Sequence, residues 1–251
     1  MKIILKLLFF IFIVFLASSC EKDNTFNTKK YDTPEAIYDF PNSKLWKHRV
    51  NTAKEAIEAL KEYNGIELDV FFVEGVNELQ TGHDVPSGNS LESYFDSITN
   101  CSQYYYWIDF KNLSNYNISS AVGKIKNIIN KYNLQKKLIV ESDKADLLNS
   151  FKLSDVFTSY WIPDVSENLI NYFAEKKLID ELETTLSKYQ FNAISAHYNM
   201  LQFMEKYLKR YNCHIWTNGL ISEEDKQKIL NFSYKQNIKI ILVDYNTNFL
   251  N

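Results

Sequence analysis

Short apolar runs rich in β-branched and aromatic residues alternate with longer amphipathic stretches along most of this 251-residue chain, and this alternation limits the possible folds more than any other feature. Eight runs have the length and composition of strands. They are Leu45–His48, Gly65–Phe72, Tyr104–Lys111, Lys137–Glu141, Val156–Ile162, Asn192–His197, His214–Thr217 and Ile238–Asp244. Eight strand-helix repeats within about 210 residues fit a closed barrel better than an open sheet. The sequence therefore predicts the α/β class and a (β/α)8 TIM barrel.

Seven stretches between these runs have the period of helices. They are Thr52–Tyr63, Ser90–Ile98, Ser119–Tyr132, Lys144–Ser150, Ser166–Tyr189, Met200–Tyr211 and Glu223–Lys235. Asn51 or Thr52 can cap the first helix, because both side chains accept hydrogen bonds from free backbone N–H groups. The segment Asn77–Gln80, which follows Gly75, predicts a small extra hairpin that brings His83 towards the barrel.

The N-terminal segment has the pattern of an export signal, with two lysines and a long apolar run. Its Leu-Ala-Ser-Ser-Cys ending is similar to a bacterial lipobox, so we expect residues 1–19 to be a lipoprotein signal peptide and Cys20 to carry lipid. Residues 20–40 are polar and predict a flexible tether, which leaves residues 41–251 as the barrel domain. We therefore expect an exported bacterial lipoprotein, anchored to a membrane in the periplasm or at the outer membrane or cell surface. The alternatives are an ordinary signal peptide and an uncleaved anchor.

The composition supports a single globular domain, since 45% of the residues are hydrophobic and 15% are aromatic. The net charge is −3 and the basic residues are dispersed, which excludes the basic surface that nucleic-acid binding requires. Besides Cys20, the cysteines are Cys101 and Cys213. Export permits a disulfide between them, and two free, buried thiols are the alternative. We expect a monomer whose partner is a small molecule.

Two acids on the second predicted strand give the first indication of a site. Glu67 and Asp69 are two positions apart, so their side chains project from the same face of the strand. Their apolar neighbours favour a buried face over the alternative, a pair of surface acids on an edge strand. Asp109 on the third strand supplies a third carboxylate. Oxygen ligands suit Ca²⁺ or Mg²⁺ rather than zinc, so a divalent cation is the predicted cofactor.

Imidazole and cationic side chains follow the ends of the same strands. His48 and Arg49 end the first predicted strand, His83 follows the extra hairpin, and Lys111 ends the third strand. Active sites of TIM barrels form at the C-terminal ends of the strands, so these groups should meet at one rim. His48 and His83 could act as base and acid on either side of a phosphate, while Arg49 and Lys111 bind its oxygens.

Other polar and aromatic positions give weaker signals. His197 and Trp216 end later strands and could line the substrate pocket, although either could equally belong to the packing of the rim. Glu141 is either a further ligand or a solvated charge. His214 starts its strand, at the end opposite the site, and is assigned no role. The aromatic run Tyr104–Trp107 favours strand packing over a ligand cage.

In order and spacing, these motifs resemble the glycerophosphodiester phosphodiesterase-like superfamily, which shares a TIM-barrel fold with phospholipase C catalytic domains. The family pattern is His-Arg, an Asn-Thr helix start, Glu-x-Asp-Val, His-Asp and an acid-x-Lys. This chain has His48-Arg49, Asn51-Thr52, Glu67-Leu68-Asp69-Val70, His83-Asp84 and Asp109-Phe110-Lys111, with weaker agreement at Trp216-Thr217 and Asp244.

Three positions depart from the pattern. Val50 replaces the usual glycine, Asp109 replaces a glutamate, and the Thr-x-Asp-Gly turn before the second histidine is absent. In these respects the chain is similar to the menorin branch. The resemblance implies metal-assisted cleavage in which a substrate hydroxyl attacks phosphorus and a cyclic phosphate forms. It gives Glu67, Asp69 and Asp109 as metal ligands, His48 and His83 as the acid/base pair, and Arg49 and Lys111 as phosphate contacts.

The leading hypothesis is a metal-dependent phosphoric diester hydrolase for glycerophosphodiesters or related phospholipid head-group esters. Val50 and the absent turn suggest the alternative of a catalytically inactive barrel that binds a phosphorylated or sugar ligand at the cell surface. A glycoside hydrolase is a third hypothesis. Against it, Glu67 and Asp69 are too close in sequence to flank a sugar bond from opposite sides.

Overall fold

The structure is a computed structural model, and it describes residues 43–164, 172–219 and 222–244. The predicted signal peptide, Cys20 and the tether lie outside the described residues. The first part of the predicted helix Ser166–Tyr189 also lies outside them. None of the helices within the described ranges combines the length and apolar composition that crossing a membrane requires.

Eight parallel strands form a closed barrel, as the sequence predicts. They are β1 (Leu45–Lys47), β2 (Gly65–Val73), β4 (Tyr105–Phe110), β5 (Leu138–Ser142), β6 (Phe157–Trp161), β7 (Ala193–His197), β8 (Cys213–Trp216) and β9 (Ile238–Val243). The barrel closes because β1 pairs with both β2 and β9. A ninth strand, β3 (Glu78–Thr81), pairs antiparallel with the end of β2 and confirms the extra hairpin.

Helices connect the barrel strands at nearly the predicted positions. They are α1 (Ala53–Ala59), α2 (Leu91–Asp96), α3 (Ile118–Lys131), α4 (Ala145–Lys152), α5 (Tyr172–Lys188), α6 (Leu201–Tyr207) and α7 (Glu223–Ser233). Thr52 caps α1, because its side chain accepts from Glu55 N–H while the Glu55 carboxylate accepts from Thr52 N–H. The outer core lies between these helices and the barrel. Ala121, Ile125 and Ile128 of α3, for example, are buried at helical spacing.

The register of the strands sorts the inward-facing side chains into layers. Glu67 is level with Trp107, and Trp107 with Ile139, so Glu141 lies one pleat further along β5. The same step repeated on alternate strands generates a closed layer of four, which is the arrangement expected inside a TIM barrel. This middle layer consists of Glu67, Glu141, Ser195 and Leu242. The layer above it consists of His48, Asp109, Trp161 and Trp216, and the layer below of Trp46, Trp107, Ser159 and His214.

The lower part of the barrel is filled with aromatic and aliphatic side chains. Trp46 is fully buried against the start of β2, and a Cβ atom at Gly65 would lie 2.2 Å from its indole ring. Glycine is therefore required there for space. His214 is also fully buried, with Nδ1 2.9 Å from Ser159 Oγ. Cys101 and Cys213 are both free, so the structure excludes a disulfide between them.

Candidate active site

Three carboxylates meet at the C-terminal end of the barrel. Glu67 and Asp69 project inward from β2, and Asp109 from β4 is level with Asp69 in the ladder. One oxygen from each residue lies within 4.8 Å of the others. Glu67 and Asp69 are each 2% exposed, so the alternative of surface acids on an edge strand is wrong. The structure brings together the three residues that the sequence assigns to a cation.

Lys111 and Asn51 hold the acid cluster in place. Lys111 Nζ lies 2.6 Å from Asp69 Oδ1 and 2.5 Å from Asp109 Oδ2. The Asn51 amide donates to Asp69 Oδ2 and accepts from Asp69 N–H, both at 2.8 Å. Of the two alternative caps that the sequence allowed for the first helix, Thr52 is the cap and Asn51 is not. Asn51 instead fixes the orientation of a predicted metal ligand.

The acids repel one another because water does not screen them. Burial raises the pKa of Glu67 well above its ordinary value, and Asp69 and Asp109 add to the rise. Burial also raises the pKa of Asp109, although Lys111 opposes the change. Burial alone would lower the pKa of Lys111, but Asp109 and Asp69 hold it above its ordinary value. Three carboxylates facing one ammonium leave excess negative charge, so the donor set fits a hard divalent cation.

His48 lies between two carboxylates at the seam where the barrel closes. Its Nδ1 atom is 3.2 Å from Asp244, and its Nε2 atom is 3.6 Å from Glu67 Oε2. Asp244 also accepts from Thr217 Oγ1 at 3.0 Å and from Gly219 N–H at 3.1 Å. Burial works to raise the pKa of Asp244, but its bonds with His48 and Thr217 hold it below its ordinary value. Asp244 is thus an ionised group that orients the imidazole.

The backbone after His48 adopts a strained turn. Arg49 has a φ of 57°, in the left-handed region that few residues other than glycine favour. Its N–H donates to Glu67 Oε2 at 2.8 Å. Val50 is not among the residues with positive φ, is buried, and donates to Glu67 O and accepts from Tyr94 Oη. Valine in place of the family's glycine is therefore compatible with this backbone.

The hairpin places His83 at the mouth of the site without the Thr-x-Asp-Gly turn. Asn77 takes the left-handed conformation, φ 51°, that closes the turn. Gly82 has a φ of 148°, and a Cβ there would lie 2.1 Å from Val85 O, so only glycine fits before His83. The imidazole is 43% exposed, and its Nδ1 lies 2.8 Å from Asp84 Oδ1.

One cavity of about 230 Å³ contains most of the predicted site. It is lined by His48, Arg49, Glu67, Asp69, His83, Trp107, Asp109, Lys111, Glu141, Trp161, Trp216, Asn218 and Leu242. His197 is not among the lining residues. Its ring packs against Trp216, with the ring centroids 4.7 Å apart. His197 therefore contacts the cavity wall through Trp216, and its place in the substrate pocket stays a prediction.

Sequence reasoning missed part of the cavity wall. Trp107 was expected to serve only in packing, and Trp161 was not singled out, yet both line the cavity. Glu141 is 3% exposed, so the alternative of a solvated charge is wrong. Burial raises its pKa well above the ordinary value, and Asp109 adds to the rise. The available signal was the alternation of side chains along each strand, which places Glu141 and Trp161, like Asp109, on the inward face.

No protein-family model and no curated protein matches the sequence. Solved structures do resemble it. A glycerophosphodiester phosphodiesterase from Parabacteroides distasonis matches with a TM-score of 0.58 and 16% identity, over 82% of this chain and 94% of that one. A phosphodiesterase from Oleispira antarctica, in complex with the product sn-glycerol-3-phosphate, matches with a TM-score of 0.58 and 13% identity, over 82% and 94%.

A calcium-dependent phosphoinositol-specific phospholipase C from Pseudomonas sp. also matches, with a TM-score of 0.52 and 12% identity, over 83% of this chain and 92% of that one. At these identities the likeness concerns the fold alone. Similarity to the menorin branch stays a prediction. The chain has the (β/α)8 barrel of the glycerophosphodiester phosphodiesterases and of the phospholipase C-like proteins that share their fold.

Proposed function

We propose that this protein is a divalent-cation-dependent phosphoric diester hydrolase that acts on glycerophosphodiesters or related phospholipid head-group esters. One observation carries the proposal: a single cavity contains three clustered carboxylates, two imidazoles, an arginine and a lysine. This is the set of groups needed to bind an anionic phosphodiester and move protons on both sides of it. The solved phosphodiesterases with the same fold add support.

The two histidines have different surroundings, and this suggests different roles. His48 is held through Nδ1 by Asp244, which leaves Nε2 to take the proton of a substrate hydroxyl next to the phosphate. The oxygen then forms a bond to phosphorus while the bond to the leaving alcohol breaks. His83, which is partly exposed at the mouth, gives its proton to the leaving oxygen. The product is a cyclic phosphate, which water opens in a second step.

Cationic groups would stabilise the charge on the phosphate. The Arg49 side chain lines the cavity and can bind two phosphate oxygens at once. Lys111 is fixed between Asp69 and Asp109, so it adds positive charge at a defined place. Glu67, Asp69 and Asp109 would hold the divalent cation, which when bound neutralises phosphate charge and lowers the pKa of the attacking hydroxyl.

The test is hydrolysis of a panel of glycerophosphodiesters and lysophospholipids by the purified protein, with and without chelator. We expect cation-dependent turnover that falls at least about 100-fold in H48A and in E67Q. E62Q is a matched control, because Glu62 is exposed and lies outside the acid cluster. Turnover that survives chelator and H48A, or tight binding of the esters without turnover under any cation, would refute the proposal.

We also propose that the protein is exported and anchored by lipid at Cys20, which the lipobox-like Leu-Ala-Ser-Ser-Cys sequence supports. The anchor would keep the barrel close to membrane-derived head-group esters. Metabolic labelling with a fatty acid in a bacterial host tests this. Label is expected in the wild type and absent in C20A, and label that persists in C20A would refute the anchor.

A further inference from the structure

Three buried polar atoms in the wall of the cavity have no hydrogen-bond partner within the described part of the chain. They are Glu141 Oε2, Trp107 Nε1 and Trp216 Nε1. All three residues line the cavity that contains the acid cluster. Buried polar atoms in folded proteins are almost always paired, so one unpaired acceptor and two unpaired donors in the same wall require an explanation. A ligand with both donor and acceptor groups would satisfy them.

Glu141 does not belong to the predicted cation site. It is level with Asp109 in the ladder, but the oxygens that cluster within 4.8 Å come from Glu67, Asp69 and Asp109. Glu141 is nevertheless 3% exposed. The side chain of Ser195 lies close enough to oppose the rise in its pKa, but the Oε2 oxygen has no partner, and burying an unpaired carboxylate oxygen is costly. Binding a cation therefore does not account for it, and a polar group that enters the cavity would.

Aromatic faces stand beside this acceptor. Trp161 and Trp216 belong to the layer directly above Glu141, and their rings meet edge to face with centroids 5.5 Å apart. Trp216 also lies 6.4 Å from the ring of His48, so this wall adjoins the proposed base. Flat apolar surfaces next to a hydrogen-bond acceptor and an indole N–H suit a compact molecule that carries hydroxyl groups on a carbon skeleton.

We propose that Glu141 and the indole N–H of Trp216 bind hydroxyl groups on the alcohol that remains attached to the phosphate. A hydroxyl donates to Glu141 Oε2, and a second hydroxyl accepts from Trp216 Nε1. The cavity then selects phosphate esters of polyols over esters of simple alcohols. This inference rests on the proposed function for the position of the phosphate, and it adds Glu141 as a residue that determines specificity.

The test compares two ligands of equal charge that differ in their hydroxyl groups, sn-glycerol 3-phosphate and propyl phosphate. Calorimetry of the full chain with Ca²⁺ or Mg²⁺ measures both dissociation constants, so the ratio does not depend on turnover. We expect the wild type to prefer glycerol phosphate by roughly tenfold or more, because the cavity leaves polar atoms unpaired when propyl phosphate binds. In E141M the ratio should approach one, and in E141Q, which keeps an acceptor oxygen, it should be intermediate.

Asp143→Asn is the matched control, since Asp143 lies two residues later in the chain, is 56% exposed, and pairs with Lys144. It should retain the wild-type ratio. If E141M weakens both ligands equally, Glu141 acts on the phosphate or the cation and the inference is overturned. A wild type without preference overturns it too, because water then satisfies the three atoms. Thermal melts check that each variant folds. If E141M does not fold, the ratio of the two dissociation constants in E141Q and in W216F decides instead.

The two proposals can fail separately. A retained preference for glycerol phosphate without hydrolysis of any ester would contradict the proposed function and support the hydroxyl site. Hydrolysis of esters with no difference between the two ligands would contradict the hydroxyl site alone.

Discussion

The Nδ1 atom of His48 lies 3.2 Å from the carboxylate of Asp244, a contact between residues that follow the first and the last strands of the barrel. The proposed base is thus built across the seam at which the barrel closes. β1 is a strand of three residues, Leu45–Lys47, and its pairing with β9 is what brings the two side chains together. Formation of the site therefore depends on completion of the fold.

Replacing Asp244 by asparagine should lower kcat by about 100-fold while KM changes little. The amide can present its N–H to Nδ1, which favours the tautomer with a proton on Nε2, and that tautomer cannot accept a proton there. Steady-state kinetics with glycerophosphocholine measures the effect, and D143N at an exposed rim position is the control. A rise in KM with unchanged kcat would show that Asp244 contributes to substrate binding instead.

Addition of Ca²⁺ or Mg²⁺ should raise the melting temperature of the wild type. A ligand at 100 times its dissociation constant adds about 2.7 kcal/mol, which corresponds to about 5–10 °C for a domain of this size. E67Q should abolish the shift, and it should melt higher than the wild type without added ion because it removes one of three repelling carboxylates. E62Q should behave as the wild type. Equal shifts in E67Q and the wild type would place the cation elsewhere.

Adjacent substitutions can separate the role of Asn51 from that of the helix cap. N51A should lower the free energy of unfolding by about 2 kcal/mol, since it removes both bonds to Asp69, and should also impair turnover. T52A should cost about 1 kcal/mol, the usual loss for a helix cap, and leave kcat nearly unchanged. Urea unfolding and kinetics on both variants give the comparison. Equal losses of activity would mean that both substitutions act through α1.

The barrel was predictable because strand-like and helix-like segments alternate along the whole domain. An error in the bounds of one segment does not change the number of predicted strands. Helix ends were less certain. The predicted helix Thr52–Tyr63 forms as Ala53–Ala59, and the residues after it continue as hydrogen-bonded turns in which Leu60 and Tyr63 are still buried. The cation cluster was predictable from the alternation of side chains along the strands, since Glu67 and Asp69 lie on the same face of β2. Asp109 is level with Asp69 on the neighbouring barrel strand.

The cavity wall was less predictable, because it depends on the stagger between strands. Trp161 lies above Glu141 because β6 pairs with β5 in a register that sets Ser159 level with Glu141. An inward aromatic on one strand looks the same in the sequence whether it fills the base or lines the mouth. The orientation of Asn51 was hidden for a similar reason, since its partner Asp69 is 18 residues away.

Two glycine substitutions distinguish a packing constraint in the barrel base from a helix position with free space. G65A should lower the free energy of unfolding by about 3 kcal/mol or more, because its Cβ would lie 2.2 Å from the rigid Trp46 ring. G123A should stabilise by about 0.5–1 kcal/mol, because Gly123 is inside α3 and a Cβ there meets no atom within 4 Å. Urea midpoints measure both. A mild effect of G65A would show that Trp46 can move within the barrel.

Protonation of His214 should make stability depend on pH below neutrality. Burial lowers the pKa of His214 from 6.5 to about 3, and Lys239 adds to the decrease. The unfolded chain therefore binds a proton as the pH falls through 6.5, whereas the folded chain does not until about pH 3. The contribution of His214 to the free energy of unfolding is fully present above that window and is lost progressively as the pH falls through it.

Between about pH 7 and about pH 5 this loss amounts to about 2 kcal/mol. H214Q provides the comparison, because glutamine keeps a polar group near Ser159 and does not titrate. Urea unfolding of both proteins at the two pH values cancels the contribution of every other group. The wild type should lose about 2 kcal/mol more than H214Q over this range. Identical losses would mean that folded His214 accepts a proton as easily as the unfolded chain, so that water reaches the ring inside the barrel.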